Sequence, residues 1–237
     1  MSHIVFGAPI TDQTLKAVAR IEGKDVTTFT ALDRSRYTMT TRGDEKKEKK
    51  ADTYLEKLRF ADNVNGVECL VFNAIGGHLV LDSYQNWGGS LGSGPYPLTI
   101  ENGQFGAFFH GMFDGTKESS GAVCYTGIYD IRTSGVGEWV MAWKYTPGTK
   151  PPLRCRAEAR QKALYREGTK GAEEAWKKLK KDLETGSNYK HHNDGIMCIV
   201  GHIGYVDKEG KELDDPTSDT VPRISASMYL YNNNPSS

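Results

Sequence analysis

Residues 66–145 constrain the fold of this chain more than any other stretch of its sequence. Apolar and polar residues alternate there in short runs, and turns rich in glycine, proline and asparagine separate the runs at intervals of about ten residues. The stretch also holds three of the four tryptophans and no long run of charges. This pattern predicts antiparallel strands packed as a β-sandwich, because a parallel α/β sheet would need a helix between successive strands.

Eight strands follow from this periodicity along the chain. Residues 67–72 and 78–84 fit a hairpin joined by a turn at 73–77, and the glycine-rich residues 86–97 fit a long loop. Residues 153–165 fit either an edge strand or a helix. The other predicted strands cover residues 98–100, 104–112, 122–131, 138–145, 196–206 and 221–231.

Four helical segments flank the predicted strands. Residues 11–21, 29–41 and 44–60 precede them, with Thr11 and Thr30 as expected N-caps, and residues 171–184 follow. Apolar stripes at helical spacing support the last two segments: Ala51, Tyr54, Leu55 and Leu58 in one, and Trp176, Leu179 and Leu183 in the other. We therefore expect a mainly β (α+β) protein, an antiparallel β-sandwich with an N-terminal helical cover and one C-terminal amphipathic helix.

The chain length fits one domain, because all-β domains often reach this size. We expect a single domain over residues 1–237, in which a helical N-terminal extension at 1–62 packs on a β-sandwich core at 66–231. The N-terminus has neither the basic nor the apolar segment of a secretory signal, and no apolar run approaches the ~20 residues of a membrane-spanning helix. These features predict a cytoplasmic protein with no transmembrane segment.

The charge balance argues against a polyanionic partner. The chain has 30 Lys and Arg against 30 Asp and Glu, so it exerts no global attraction on nucleic acid or on anionic membranes. A lysine-rich run, GDEKKEKK at residues 43–50, lies in the third helical segment. Acids interleave its lysines, so we interpret the run as a solvated helix face and expect no nucleic-acid partner.

Metal-ligand residue types occur without the spacing of a metal site. The cysteines lie far apart and form no C-x-x-C pair, which predicts buried free thiols at Cys69, Cys124, Cys155 and Cys198. A second set near residue 200 comprises His191, His192, Asp194, Cys198 and His202. Adjacent histidines point to different sides of an extended chain, so we interpret this segment as a polar loop and expect no metal and no cofactor.

Aromatic residues give the strongest functional signal. Tyr84, Trp87 and Tyr96 bracket the glycine-rich loop, where no helix pattern covers them. Exposed aromatics on a loop are a common means of holding a sugar ring or a lipid headgroup, so we predict these three as ligand-binding residues. Trp139 and Trp143 share one face of a predicted strand, and we assign them to the core.

No recognised catalytic motif accompanies these aromatics. The loop sequence GGSLGSG lacks the Gly-Lys-Ser/Thr ending of a phosphate-binding loop, and SSG at residues 119–121 lacks the pattern of a nucleophile elbow. The sequence therefore indicates a non-enzymatic protein with no catalytic residues. Two alternatives stay open: a hydrolase or other enzyme with a site formed by His110, Asp114 and Glu118, and a structural protein that forms homo-oligomers through the aromatic loop.

Several motifs in order resemble one plant family. They are VFGAPIT at residues 5–11, the long run VECLVFNAIGGHLVLDSYQNWGGSLGSGPYPLTIENGQFGAFFHG at 67–111, SSGAVCYTG at 119–127 and EWVMAW at 138–143. Together they look like the 23 kDa jasmonate-induced protein family of plants. This resemblance implies a stress- and defence-related, jasmonate-responsive plant protein.

A second resemblance concerns the fold. The P-x-x-I motif at residues 97–100, the SSGAV-x-Y motif and the tryptophan-rich strand are similar to those of actinoporin-like β-sandwiches. In that family the corresponding loops bind phospholipid headgroups, and the matching positions here are Ser120, Val123 and Tyr125. The lysine-rich third helical segment does not match the amphipathic pore-forming helix of that family, so the resemblance implies headgroup or glycan binding and not pore formation.

Overall fold

A computed structural model describes residues 4–24, 28–43, 45–130, 135–185, 191–194, 197–207, 212–213 and 220–230. Within these residues the helices are α1 (Asp12–Ile21), α2 (Ala31–Thr40), α3 (Glu45–Asp62) and α4 (Ala172–Glu184). The strands are β1 (Val5–Phe6), β2 (Gly66–Ala74), β3 (Leu79–Gly88), β4 (Ser90–Leu91), β5 (Thr99–Ile100), β6 (Phe105–Gly111), β7 (Ser119–Asp130), β8 (Gly135–Tyr145), β9 (Leu153–Arg160), β10 (His191–Asp194), β11 (Met197–Val206), β12 (Glu212–Leu213) and β13 (Val221–Leu230).

The strands form two sheets packed face to face, which confirms the predicted sandwich. In the eight-stranded sheet the order is β1-β6-β2-β13-β11-β10, with β4 beside β6 and β12 beside β11. The five-stranded sheet has the order β5-β3-β7-β8-β9. Among the described strands, every pairing is antiparallel except that of β13 with β2, which is parallel.

Apolar side chains fill three interfaces, so the molecule has four layers. Between the sheets lie large aromatic residues, among them Phe108, Tyr125, Trp139 and Trp143. On the outer face of the eight-stranded sheet, α2 and α3 cover a second cluster that comprises Ala51, Leu55, Leu70, Phe72, Ala74, Phe105 and Ala107. On the outer face of the five-stranded sheet, α4 covers a third cluster that comprises Ala122, Cys124, Val140, Ala142, Tyr165, Ala175, Trp176, Leu179 and Leu183.

The helices form where local signals predict them. Thr30 caps α2 by accepting a hydrogen bond from the Asp33 amide at 3.1 Å, and the Asp33 carboxylate accepts one from the Thr30 amide at 2.8 Å. Thr11 is the N-cap of α1, as expected. The predicted stripes of α3 and α4 face the sheets, since every member except the half-buried Tyr54 is buried: Ala51, Leu55, Leu58, Trp176, Leu179 and Leu183.

The predicted hairpin over residues 67–84 is wrong, because its two strands belong to different sheets. The side-chain amide of Asn73 donates to the carbonyls of Gly77 and Ile100 at 2.9 and 2.6 Å, and its carbonyl accepts from the Ile75 amide at 3.0 Å. These bonds fix a turn that carries the chain from one sheet across the core to the other. A turn-rich sequence does not distinguish this crossing from a hairpin.

Two other segments are now assigned. Residues 153–160 form strand β9 at the edge of the five-stranded sheet. In the first half of this strand every second residue is buried, beginning with Leu153. The predicted loop at residues 86–97 is wrong in its first half, because β3 continues to Gly88 and β4 follows at once. Among the described residues, no helix combines the length and the hydropathy needed to cross a membrane.

Candidate functional site

A groove of about 940 Å³ runs between β3 and α4 on the outer face of the five-stranded sheet. We call it the β3–α4 groove. Its lining includes Tyr84, Trp87, Tyr165, Trp176 and Lys180. Its volume lies within the range of about 300–1,000 Å³ that is typical of small-molecule sites, and its walls combine aromatic rings with charged groups.

A bulge in β3 directs Trp87 toward α4. Asn86 pairs with Gly121 and Gly88 with Ser120, so Trp87 is an extra residue between two regular pairs. A bulge of this kind commonly redirects one side chain. The Trp87 ring is half-buried and meets Trp176 of α4 edge to face, with 6.4 Å between ring centroids. Trp87 therefore forms a wall of the groove from within strand β3, whereas the sequence had placed it in a loop.

Tyr84 and Tyr96 differ in their access to a ligand. Tyr84 lines the groove and is 50% exposed, whereas Tyr96 is 5% exposed and packs between the rings of Tyr84 and Phe108, at 4.9 Å from each. The Tyr96 hydroxyl donates to the Asn86 side chain at 2.9 Å, and burial raises the pKa of that phenol. Tyr96 thus holds the Tyr84 ring against the core between the sheets, and its predicted role as an exposed loop aromatic is wrong.

A lysine of α4 contributes positive charge to the groove. Lys180 lines it, is partly buried and makes no ion pair with any described residue. Glu118 pairs with Lys144 at 2.9 Å nearby. Burial raises the pKa of Glu118, but the hydrogen bonds from Lys144 and Ser120 and the charges of Lys144 and Lys180 outweigh burial and hold the pKa below its ordinary value.

The segment opposite Trp87 is held by one buried carboxylate. The amides of Leu164, Tyr165 and Arg166 donate to Glu138 of β8 at 2.7, 3.1 and 3.1 Å, and Glu138 is 1% exposed. The Ser83 hydroxyl donates to the carbonyl of Tyr165 at 3.0 Å. The groove wall is therefore fixed before any ligand arrives. Sequence reasoning missed Glu138, although an isolated acid in the apolar run EWVMAW is a detectable signal.

The three positions taken from the actinoporin resemblance fall on two sides of β7. Val123 and Tyr125 point between the sheets and are fully buried, and the Tyr125 hydroxyl donates to the Pro97 carbonyl at 3.0 Å. In this structure they do not reach a surface ligand, so the prediction fails for them because strand alternation turns them inward. Ser120 is on the α4 side, but it is 2% exposed and donates to Glu118 at 2.9 Å.

The three residues of the alternative enzyme site make different contacts in this structure. His110 lies in the core, where its Nδ1 is 2.8 Å from the Ser119 hydroxyl. Asp114 lies in a turn with φ of 56°, and Glu118 pairs with Lys144 at the surface. The three side chains thus have separate surroundings. Although Ser119 and His110 resemble a nucleophile and its base, both are 0% exposed, so substrate has no access to them.

The buried His110 predicts an acid-dependent loss of stability. Burial lowers the pKa of His110 from its ordinary 6.5 to about 4, so the folded protein keeps the ring neutral. As the pH falls through this interval the unfolded chain takes up the proton first, and the free energy of unfolding should drop by about 1 kcal/mol per pH unit. Urea denaturation between these pH values measures the slope.

The matched variant is His110→Gln, which cannot titrate. Its unfolding free energy should change less with pH than that of the parent protein over the same interval, whatever its stability at neutral pH. Parallel pH profiles for the two proteins would contradict the assignment of the slope to His110.

The histidine-rich segment has a structural role. His192 Nδ1 accepts a hydrogen bond from the Ala159 amide at 3.1 Å, and Asp194 accepts one from the Gln161 amide at 2.6 Å. These bonds join β10 to the end of β9, so the predicted polar loop is wrong and the segment is a strand. The side chains of His191 and Cys198 lie outside the described residues. Among those described, no cluster of His, Cys, Asp and Glu could hold a metal ion.

The cysteine prediction is confirmed for the three thiols that the structure describes. None of Cys69, Cys124 and Cys155 forms a disulfide, and all three are buried. Burial raises the pKa of the Cys69 and Cys124 thiols well above the ordinary value, which keeps them protonated and unreactive.

Fold and groove together define a class of protein: a two-sheet α+β sandwich with helices on both outer faces and an aromatic groove beneath one of them. The model of the Nakanori-like protein family matches residues 6–211, and the chain belongs to that family. It is 29% identical over 213 residues to the 23 kDa jasmonate-induced protein of Hordeum vulgare, which covers 88% of this chain and 91% of that protein. This match confirms the resemblance inferred from the motifs.

A solved structure has the same fold. The crystal structure of the lipid binding protein Nakanori superposes with a TM-score of 0.72 at 17% sequence identity, covering 96% of this chain and all of that one. At this identity the likeness establishes the architecture and carries no assignment of site residues. The resemblance to actinoporin-like sandwiches stays a prediction.

Proposed function

We propose that this protein is a non-enzymatic plant stress protein that binds a phospholipid headgroup in the β3–α4 groove. The name of the jasmonate-induced relative supports a role in the stress response, and the lipid binding of Nakanori supports the class of ligand. The groove supplies the chemistry: aromatic rings and acidic side chains suit the cationic end of a zwitterionic headgroup, and Lys180 suits its phosphate.

One observation favours a lipid over a glycan. An apolar, solvent-exposed edge adjoins the groove along β3, where Val80 and Tyr84 are 40% and 50% exposed. Leu98, whose carbonyl accepts a hydrogen bond from the Leu81 amide of β3, is 67% exposed. Exposed apolar residues beside a polar groove fit a bilayer interface, which takes up apolar side chains while a headgroup occupies the groove. Glycan binding through the same aromatics is the second candidate.

Substitution of Trp87 tests the proposal. Trp87→Ala removes a wall of the groove and should weaken binding to phosphatidylcholine vesicles about tenfold, the equivalent of ~1.4 kcal/mol. Vesicle co-sedimentation at several lipid concentrations measures the change. Trp87→Phe, which keeps an aromatic ring, should retain most of the binding.

The matched control is Phe60→Ala, because Phe60 is an exposed aromatic on α3, remote in the fold from α4. It should bind vesicles like the parent protein. Unchanged binding by Trp87→Ala would refute the proposal. If a glycan array shows Trp87-dependent binding while vesicles show none, the glycan candidate replaces it. Sedimentation of the free protein addresses self-association, which stays a separate prediction.

A further inference from the structure

A second groove, of about 800 Å³, lies on the opposite side of the sandwich between β1 and α3. We call it the β1–α3 groove. It is lined by two aromatic residues and four lysines: Phe6, Tyr54, Lys46, Lys49, Lys50 and Lys57. It is separate from the β3–α4 groove, because α3 covers the eight-stranded sheet and α4 the five-stranded one.

Helix geometry separates the charges that the sequence interleaves. At about 100° per residue, Lys46, Lys50 and Lys57 fall within an arc of about 40° on α3. Glu48 and Asp52 lie about 120–180° around the helix from these three lysines, whereas Glu56 lies about 80–120° from them. Within the run, Lys46, Lys49 and Lys50 line the β1–α3 groove, and all three are exposed, as the interpretation as a solvated helix face predicts.

Three lysines of the β1–α3 groove differ from Lys47, their buried neighbour on α3. Lys47, also on α3, is buried, donates to the Gly103 carbonyl at 3.3 Å and lies over the Phe72 ring. By contrast, Lys49, Lys50 and Lys57 are exposed, and none of them forms an ion pair with any described residue.

The position of Lys46 on α3 works against helix stability. Lys46 lies in the first turn, where the positive end of the helix dipole disfavours cations, and Glu45 and Glu48 of the same turn offset part of this cost. A local conflict of this kind is expected at sites shaped by function. An anion in the groove would relieve it, because both the ammonium groups and the helix dipole attract negative charge.

The rest of the groove indicates the size and character of the anion. Phe6 and Tyr54 pack with 5.5 Å between ring centroids and form an apolar wall beside the lysines. The groove is concave and its volume is that of a small-molecule site, whereas an extended polyanion is expected to follow a longer basic stripe. Several ammonium groups around one concavity match several phosphates on one compact ligand better than a single phosphate.

We propose that the β1–α3 groove binds a compact, multiply phosphorylated group, supplied either by a soluble molecule or by the headgroup of an anionic lipid. Lys46, Lys49, Lys50 and Lys57 contact the phosphates, and Phe6 and Tyr54 support the uncharged part of the ligand. The site is independent of headgroup binding in the β3–α4 groove.

Charge reversal tests the proposal. Inositol hexakisphosphate serves as the soluble probe, titrated calorimetrically at about 150 mM salt, where the Debye length is ~8 Å and distant charges are screened. The parent protein should bind it saturably, and Lys50→Glu with Lys57→Glu should weaken binding at least about tenfold. Both lysines are exposed, so the double variant should fold, and a melting curve checks this.

The matched control reverses two exposed lysines on other helices, Lys16→Glu and Lys178→Glu, and keeps the same net charge as the test variant. It should bind the probe within about twofold of the parent protein, an effect of distant charges only. Vesicles of phosphatidylcholine with and without phosphatidylinositol bisphosphate distinguish the two sources, because only a lipid site makes the protein bind the phosphorylated vesicles more tightly than the plain ones. Either source supports the proposal if binding is lost in the Lys50→Glu, Lys57→Glu variant.

Three results would overturn it: failure to bind the soluble probe together with no tighter binding of the phosphorylated vesicles, equal weakening in the control variant, or binding of a single-stranded oligonucleotide in the absence of probe binding. Trp87→Ala should leave probe binding unchanged, so failure of one groove is distinguishable from failure of the other.

Discussion

Arg223→Met is expected to destabilise the protein by about 3–5 kcal/mol, because it leaves a carboxylate buried without its partner. Arg223 is 4% exposed and donates to Glu68 from Nη2 at 2.7 Å and from Nε at 3.1 Å. Its Nη1 lies 2.9 Å from Asp52 of α3. The guanidinium thus joins β13, β2 and α3. Urea denaturation at neutral pH measures the loss.

The pH dependence of this variant identifies the cause. Burial raises the pKa of Glu68 even in the parent protein, against the opposing charges of Arg223 and Arg59. Removal of Arg223 raises that pKa further, so the folded variant binds a proton at pH values where the unfolded chain has lost it. Its deficit in stability should therefore be greatest above the raised pKa and should shrink as the pH falls through it.

A double variant provides the control. Glu68→Leu together with Arg223→Met replaces the pair by apolar side chains and should recover most of the lost stability, since a well-packed apolar pair substitutes for a buried ion pair at little cost. If the double variant were as unstable as Arg223→Met, lost packing rather than an unpaired charge would explain the effect.

Glu138→Ala is expected to cost about 3 kcal/mol of stability and to weaken vesicle binding as well. The substitution leaves the amides of Leu164, Tyr165 and Arg166 without their shared acceptor, and a lost hydrogen bond to a charged group costs about 1.5–3 kcal/mol. Part of the loss is offset because Leu164 and Arg166 are only half-buried and water can reach them. Chemical denaturation and vesicle co-sedimentation measure the two effects.

Glu138→Gln separates stability from groove geometry. Glutamine keeps one acceptor oxygen and the same size, so this variant should lie between the parent protein and Glu138→Ala in both assays. If Glu138→Ala lost stability but bound vesicles normally while folded, the position of the 164–166 segment would not matter for the ligand.

Local signals in the sequence were sufficient for the helices. The stripe Trp176, Leu179 and Leu183 predicts α4, and Thr30 with Asp33 sets the start of α2, because each depends on residues within one or two turns. The positions of the longer strands other than β9 also follow from local alternation, whereas β4 and β10 lie in segments predicted as loops. The sheet order does not follow from local alternation: residues 66–74 pair with 221–230 in parallel, which no local pattern encodes.

In the β3–α4 groove, too, some features follow from the local sequence and others do not. An aromatic residue in a glycine-rich stretch is visible in the sequence, and Trp87 lines the groove, while its role in binding stays a prediction. The bulge that turns its ring toward α4 and the burial of Tyr96 depend on strand register, which the sequence does not display. The basic face of α3 could have been predicted from the sequence, since helical spacing alone groups Lys46, Lys50 and Lys57 on one side of the helix.

The parallel insertion of β13 beside β2 has a consequence for how the protein is made. The two residues that join these strands, Glu68 and Arg223, are 155 positions apart. During translation β2 leaves the ribosome long before its neighbour exists, with one hydrogen-bonding edge unpaired and an apolar sequence on both faces. Nascent chains that end before β13 should therefore depend on chaperones, and the eight-stranded sheet can close only after the codons for residues 221–230 have been read.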